Sequence, residues 1–450
     1  MQKKEVLSLI EKEGVQFIHI QFVDIYGILK AITIPAGKFE GVIEDGIWMD
    51  GSSIEGFARI FESDMYLKPD LKTFFITPWE KGEEALSARV FCDVFSPDGT
   101  PYEGDPRSIL KKVLKEAEKM GYIYNVGPEL EFFLFKKEYD ENGNEKTVST
   151  VPNDSGGYFD VNTDTAGDVR KEAALAVNEM GVDVEAIHHE VATGQHEIDF
   201  RYADALTAAD NISKVKFAVK AISSFYELYA TFMPKPIAGV NGSGMHVHQS
   251  LWDIKKKKNV FFDPKGDFHL SQIAQYFVAG QLKHMQKICA ILSPTVNSYK
   301  RLVPGYEAPV YVSWGQNNRS ALIRVPRYTK GRENAVRVEL RSPDPTANPY
   351  LAFAVMLAAG LDGIKNKVKV PNSIAENIYE LNEKKAKRLR ISTLPYSLGK
   401  AIENLEKSDL AKDTLGNHTF SKFIEAKRAE WNSYRTSVSE WELGKYLPIY

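Results

Sequence analysis

Glu129 and Glu131 stand two residues apart in the β-rich run Gly127–Phe135, where alternation puts both carboxylates on one strand face and Leu130 and Phe132 on the other. Two like charges side by side need a cation. In Met245–Ser250 the same alternation aligns His246, His248 and Ser250, and in Val336–Arg341 it aligns Arg337, Glu339 and Arg341. Three polar strand faces in one chain predict a polar sheet face lining a cleft. Between Val184 and Asp199 fall three glutamates, Glu185, Glu190 and Glu197, and three histidines, His188, His189 and His196. A set so rich in carboxylates and poor in soft ligands suits Mg²⁺ or Mn²⁺ better than Zn²⁺, with His188 read as structural.

From Lys300 to Arg341 there are seven arginines, Arg301, Arg319, Arg324, Arg327, Arg332, Arg337 and Arg341, against three acids, Glu307, Glu333 and Glu339. Guanidinium forks match carboxylates and phosphates. The familiar nucleotide loops are missing: Gly51–Gly56 has Walker spacing but Phe57 where the lysine must be, and Asn241–Gly244 lacks the third glycine of a dinucleotide fingerprint. Metal-binding carboxylates with arginine clamps and no Walker loop describe phosphoryl transfer by metal and arginine.

The elements that must position these groups can be read from the same pattern. A short amphipathic N-terminal helix precedes two β-rich runs, Phe17–Val23 and Ile28–Ile34, joined through Asp24–Gly27 as a hairpin. Further strands are expected at Thr73–Ile76 and Ala88–Phe95. Turn formers crowd Ser96–Pro106, which sets a boundary between a small domain, 1–104, and a large one, 105–450. Asp105 should cap a helix that has Pro106 at its first position and ends before Gly121. Longer helices are expected at Asp168–Met180, Ala205–Ala230, Leu270–Leu292 and Ala347–Gly360, alternating with short strands.

Across 450 residues, 57 Lys+Arg against 60 Asp+Glu give a net charge of −3, which disfavours nucleic acid or an anionic membrane as partner. Cys92 and Cys289 both lie in apolar settings, so neither a disulfide framework nor a cysteine metal site is expected. Without an apolar signal core or a long apolar run, a cytoplasmic location is the expectation.

Five motifs, Asp50-Gly-Ser-Ser-Ile, Gly127-Pro-Glu-Leu-Glu-Phe-Phe, Asn241-Gly-Ser-Gly-Met-His, Lys300-Arg-Leu-Val-Pro-Gly-Tyr-Glu-Ala-Pro and Asn318-Arg-Ser, occur in the order they have in one family. In these the chain resembles glutamine synthetase of the prokaryotic type I family. The resemblance implies an α+β fold: a small N-terminal β-grasp-like domain, then a catalytic domain with a curved antiparallel sheet. It implies a homododecamer of two stacked hexameric rings with active sites between subunits, and leaves room for small nitrogen-regulatory partners. One Mg²⁺ would be held by Glu131, Glu190 and Glu197, a second by Glu129, His246 and Glu339, with Mn²⁺ as substitute. Glutamate would meet Asn241, Gly242, Arg301, Glu307, Arg319 and Arg341. ATP would meet Glu185, His248, Ser250, Arg319, Arg324 and Arg337. Asp50 of an adjacent subunit, Ser53, Tyr158, Glu190 and Glu307 would form an anionic ammonium pocket, with Asp50, Glu307 and Arg319 acting in catalysis.

The implied reaction is ATP-dependent ligation of ammonia to L-glutamate through γ-glutamyl phosphate. Two other readings stay open on the residues: a ligase joining glutamate to an amine such as a polyamine, and a catalytically inactive regulatory relative. The chain departs from some family members in having Asn334 where they carry an ATP-binding lysine. Tyr379 lies where one branch is adenylylated, whereas Ser53–Arg59 resembles the other branch, inhibited by glutamine through that arginine. Arg59→Ala should therefore relieve glutamine inhibition while leaving basal activity; initial rates at increasing glutamine measure it, and retained sensitivity would refute the assignment.

Overall fold

The computed structural model describes residues 1–52, 54, 64–141, 143, 150–316, 318, 320–374 and 391–450. β1 (Phe17–Val23) and β2 (Leu29–Pro35) form the expected antiparallel hairpin. Its turn is built by Asp24, whose Oδ1 accepts the backbone N–H groups of Tyr26 and Ile28 at 2.9 Å, and by Gly27 at φ +81°. β3 (Ile47–Asp50), β4 (Asp64–Pro69), β5 (Phe75–Ile76) and β6 (Ser87–Phe95) complete a sheet of order β2-β1-β6-β4-β3, with β5 on β6. The helix Lys3–Glu13 contributes Val6 to the core beneath it.

The strand expected at Thr73–Ile76 is shorter than its β-rich sequence suggests. Leu71–Thr73 forms a 3₁₀ turn because Asp70 accepts from the N–H of Lys72 and its carbonyl from the Thr73 hydroxyl, side-chain bonds that compete with the ladder.

Asp105 caps helix Pro106–Lys119 by accepting from the N–H groups of Arg107 and Ser108 at 3.1 and 3.2 Å. The chain then enters the 15-residue β7 (Tyr122–Lys136), the spine of the second sheet. Along it lie β8 (Val184–His189), β9 (Gln195–Phe200), β10 (Ala203–Asp204), β11 (Leu228–Thr231), β12 (Met245–Asp253), β13 (Lys258–Asn259), β14 (Trp314–Gln316), β15 (Ile323–Val325) and β16 (Val338–Leu340). The order is β14-β15-β16-β12-β7-β9-β8, antiparallel except between β14 and β15, and the strands curl into half a barrel.

Helices Pro106–Lys119, Ala205–Phe225 and Gln272–Leu292 pack on one face of this sheet, where Leu130, Phe132, Met245 and Val247 join the main core, and Pro349–Lys365 packs on Gln272–Leu292 from outside. The two helices meet backbone to backbone: a Cβ on Gly280 would lie 2.1 Å from the carbonyl oxygen of Ala359, so only glycine fits. Helix Ala205–Phe225 stops five residues before the expected Ala230, since Glu227 at φ +56° turns the chain and Leu228–Thr231 pairs with β7 instead. Among the described residues no helix is long and apolar enough to cross a membrane.

Arg107 fastens the two sheets together. Buried to 3% exposure, it pairs with Asp93 (2.6 Å) and Asp70 (2.8 Å) of the first sheet's surroundings and with Asp210 (3.0 Å) on helix Ala205–Phe225. Removing one partner of such a set strands the others without compensation. Arg107→Ala is expected to cost about 3–5 kcal/mol, read as a lower urea midpoint; an unshifted midpoint would show that the junction is held elsewhere.

Candidate active site

Strand register assembles the polar groups. On β12 and β7, His246 faces Glu129; on β7 and β9, Glu129 faces Asp199 and Glu131 faces Glu197; on β8 and β9, His188 faces Glu197. On β12 and β16, His248 faces Glu339, which on β15 faces Arg324. Cross-strand partners share a face, so the three polar strand faces merge into one, opposite the helices. They open on a cavity of about 330 Å³. Tyr158, Asn241, Gly242, Arg301, Glu307 and Arg341 line it together with Glu129, Glu131, Glu190, Glu197, His246 and Arg324.

Local constraints hold the rim. A Cβ on Gly242 would sit 2.2 Å from the carbonyl oxygen of Pro234, and one on Gly244 would sit 2.5 Å from the Arg301 guanidinium. Arg301 itself donates to the carbonyls of Arg341, Ser342 and Pro343 at 3.0–3.3 Å. Glu307 adopts φ +56°, a left-handed conformation uncommon for a non-glycine residue and found where a site over-determines the backbone.

The electrostatics are those of crowded buried anions. Burial and then the neighbouring Glu190 push Glu131 up to about 8, although Gln195 and the N–H of Gly244 each donate to it at 2.9 Å. Burial raises Glu197, helped by Glu131 and Asp199, and also raises Glu190 and Asp199. Glu129 goes the other way: burial opposes its charge, but hydrogen bonds from His246 (3.0 Å) and His248 (2.6 Å) hold it well below the usual range. The proton of His248 is thereby located, because Arg337 donates to its Nδ1 at 3.0 Å and Nε2 donates to Glu129. Burial and then Arg341 push His246 down to about 4, leaving a neutral imidazole. Glu339, fully buried, accepts from Arg341 at 2.9 Å and from Arg324.

Among the described residues three groups have ligand atoms within 4.8 Å of one another, and two of them stand at the cavity, Glu129–His246–Glu339 and His188–Glu190–Glu197. Their oxygen-rich donors with one imidazole fit Mg²⁺ or Mn²⁺. The first is a set expected from sequence. In the second, His188 stands where Glu131 was expected, its ring 3.7 Å from Glu190 and 3.6 Å from Glu197, while one Glu131 oxygen is engaged by Gln195 and Gly244. A third group, Asp154–His189–His196, is unsuited to an ion. Arg170 donates to Nδ1 of His196 and Nε2 donates to Asn153, leaving that ring no lone pair.

Other expected residues lie apart. Asp50, exposed at the end of β3, accepts from the N–H of Ser52 and does not line its own chain's cavity. Glu185, also exposed, occupies the bulge where the β8–β9 register shifts. Ser250 accepts from Trp252 at 3.2 Å, and Asn334 sits exposed in the 3₁₀ turn Glu333–Ala335. Ser53, Arg59, Arg319 and Tyr379 lie outside the described residues. His188, Gln195, Asp199 and Tyr306, none of them a site residue by sequence pattern, also line the cavity. For Asp199 a signal existed, since it follows Glu197 at the spacing that singled out Glu129 and Glu131.

A sequence model described as glutamine synthetase, catalytic domain, matches residues 103–446, and one described as glutamine synthetase, beta-Grasp domain, matches residues 14–97. The chain is 51% identical over 450 residues to a glutamine synthetase of Staphylococcus aureus (strain Mu50) and to one of Staphylococcus epidermidis, covering 100% of this chain and 98% of each relative. A solved structure of a GmaS/ADP complex matches with TM-score 0.87 at 31% identity, over 98% of this chain and 99% of that one. Apo GmaS matches with TM-score 0.85.

The carboxylates make metal binding measurable without turnover. A carboxyl raised from 4.5 to about 8 favours the fold fully below 4.5 and loses that contribution as pH climbs to about 8, so the metal-free chain should lose stability across that window. Mg²⁺ at about a hundred times its Kd should restore about 2.7 kcal/mol and release protons into a weakly buffered solution at pH 7. Glu197→Gln should stabilise the metal-free chain yet abolish the Mg²⁺ response; a mutant whose thermal midpoint still rises with Mg²⁺ would refute the site.

Proposed function

This chain belongs to the glutamine synthetase family, with an N-terminal β-grasp domain and a C-terminal catalytic domain, and we propose that it converts L-glutamate, ammonium and ATP to L-glutamine, ADP and phosphate. The observation that carries this reading is the single sheet face on which two oxygen-rich cation sites adjoin three cavity-lining arginines.

The obstacle is chemical. A carboxylate is a poor electrophile, and ammonium has no free electron pair. A γ-carboxylate oxygen of glutamate attacks the γ-phosphorus of ATP and ADP leaves, giving γ-glutamyl phosphate. Ammonia then attacks the acyl carbon, the C–O bond to phosphate breaks, and the departing phosphate takes up the surplus proton of the nitrogen to leave the amide. The proton ammonium must first lose passes to a carboxylate.

Glu129, His246 and Glu339 would hold one divalent cation, and Glu131, Glu190 and Glu197 the other, with His188 close enough to join them. Bound there, the cations supply positive charge opposite the transferring phosphoryl oxygens. Arg324 and Arg337, with Arg319, meet the phosphates, and His248, Ser250 and Glu185 the rest of ATP. That the similar GmaS structure is a complex with ADP supports the nucleotide. Arg301, Arg341 and the Asn241–Gly242 backbone receive glutamate, and fixed donors of this kind need no reorganisation during reaction.

Tyr158, Glu190 and Glu307 form the ammonium side, with Ser53 and with Asp50 of a neighbouring subunit. The exposed position of Asp50 at a sheet end, apart from its own cavity, supports that arrangement and with it a ring assembly, proposed as two stacked hexamers. A cytoplasmic role in nitrogen assimilation follows from these substrates.

Glu307 rides on Pro304–Pro309, where the left-handed backbone turns it toward the cavity. It shields the acyl phosphate from water and takes up the ammonium proton. Glu307→Ala should cut glutamine formation by about 10²–10⁴ and phosphate release by less, so that product per ATP falls below one. Coupled assays of phosphate and glutamine test this, with putrescine in place of ammonium as control. Phosphate release driven by putrescine and not by ammonium would overturn the reading.

A further inference from the structure

Behind the ammonium side lies a buried pair outside the assigned machinery. The side chains of Asp154 and His189 are fully buried, and His189 Nε2 donates to Asp154 Oδ1 at 3.0 Å. The same oxygen accepts from the N–H groups of Gly194 at 3.1 Å and Gly156 at 3.3 Å. Oδ2 accepts from the Asn153 amide at 2.8 Å and the Thr165 N–H at 3.4 Å. His189 Nδ1 donates to the carbonyl oxygen of Glu190 at 2.6 Å, and its own carbonyl accepts from the N–H of Phe159 at 3.3 Å.

One carboxylate thus ties three segments, each of which bears a cavity residue. The loop 153–165 carries Tyr158, the end of β8 leads into Glu190, and the turn at Gly194 leads into Glu197. The fit is close: a Cβ on Gly156 would lie 2.7 Å from His189 Nε2. Tyr158 is 43% exposed; its ring stacks on Phe159 with centres 3.9 Å apart and meets His188 edge-on at 5.7 Å, so the backbone of this loop, which His189 holds through the Phe159 N–H, bears on its position. A buried charged pair is expensive to assemble, and here it stands at a junction common to all three segments.

We infer that Asp154 and His189 are positioning residues that set Tyr158 against Glu190 and thereby the geometry of the ammonium pocket. The inference rests on the function proposed above and adds two residues to the determinants of the nitrogen substrate. Side chains behind a site act by fixing the reacting groups to within fractions of an ångström, and a misplacement of about 1 Å costs up to about a hundredfold.

Steady-state kinetics of the full chain test it. Asp154→Asn should raise KM for ammonium by about ten- to a hundredfold and leave KM for ATP within about twofold. On a Tyr158→Ala background the same substitution should add little, since coupled residues are not additive. Should Asp154→Asn fail to fold, His189→Gln is read in the same way. An unchanged ammonium KM, a parallel rise in all three KM values, or full additivity with Tyr158→Ala overturns the positioning role while leaving the reaction intact. Wild-type chain that forms no glutamine overturns both.

Discussion

Repulsion among carboxylates confined to one face of a sheet is the constraint on which the rest of the site depends. Glu129, Glu131, Glu190, Glu197 and Asp199 cannot all be charged in so small a volume without compensation. The chain divides the burden. Glu129 takes two imidazole donors and Glu339 two guanidinium donors, whereas Glu131, Glu190, Glu197 and Asp199 are left to hold protons or to receive a cation. A protein selected for stability alone would fill such a face with apolar side chains. Retaining the charges is intelligible when a divalent ion and an anionic substrate complete the balance.

Much of what orients this face lies on its apolar side or far from the cavity. The long strand β7 presents Leu130 and Phe132 to the helical layer and Glu129 and Glu131 to the cavity, so packing of one face locks the orientation of the other. Close contact between Gly280 and the helix at Ala359 locks two long helices of the core to one another. Arg107 joins the first sheet, which carries Asp50, to the second, which carries the cation groups. The proposed use of Asp50 by a neighbouring subunit thus depends on a salt-bridged junction far from the chemistry.

Much of the fold was legible because its signals are local. Asp105 with Pro106 marks a helix start through cap geometry alone, and Asp24 with Gly27 marks a turn through bonds within five residues. Local signals failed where the outcome depends on distant partners. Leu228–Thr231 reads as a continuation of a helix, yet β7 offers it a free edge and captures it. Thr73 belongs to a β-rich run, yet Asp70 diverts its backbone into a turn.

Which side chains share a strand face is legible from residue order alone, because alternation needs nothing beyond the two-residue repeat of an extended backbone. A site of oxygen donors with few soft ligands is legible too, since donor chemistry is a property of residue types. Which face meets which is fixed by long-range packing. The pairing of His246 with Glu129, of Glu131 with Glu197 and of Glu339 with Arg324 joins positions 117, 66 and 15 residues apart, and its register is set by packing of the opposite face. For the same reason His188 emerged beside Glu190 and Glu197 although it reads as structural in isolation, and Asp154 emerged behind them. Neither role is encoded near the residue that performs it; each is made by which backbones the folded sheet brings within hydrogen-bonding distance.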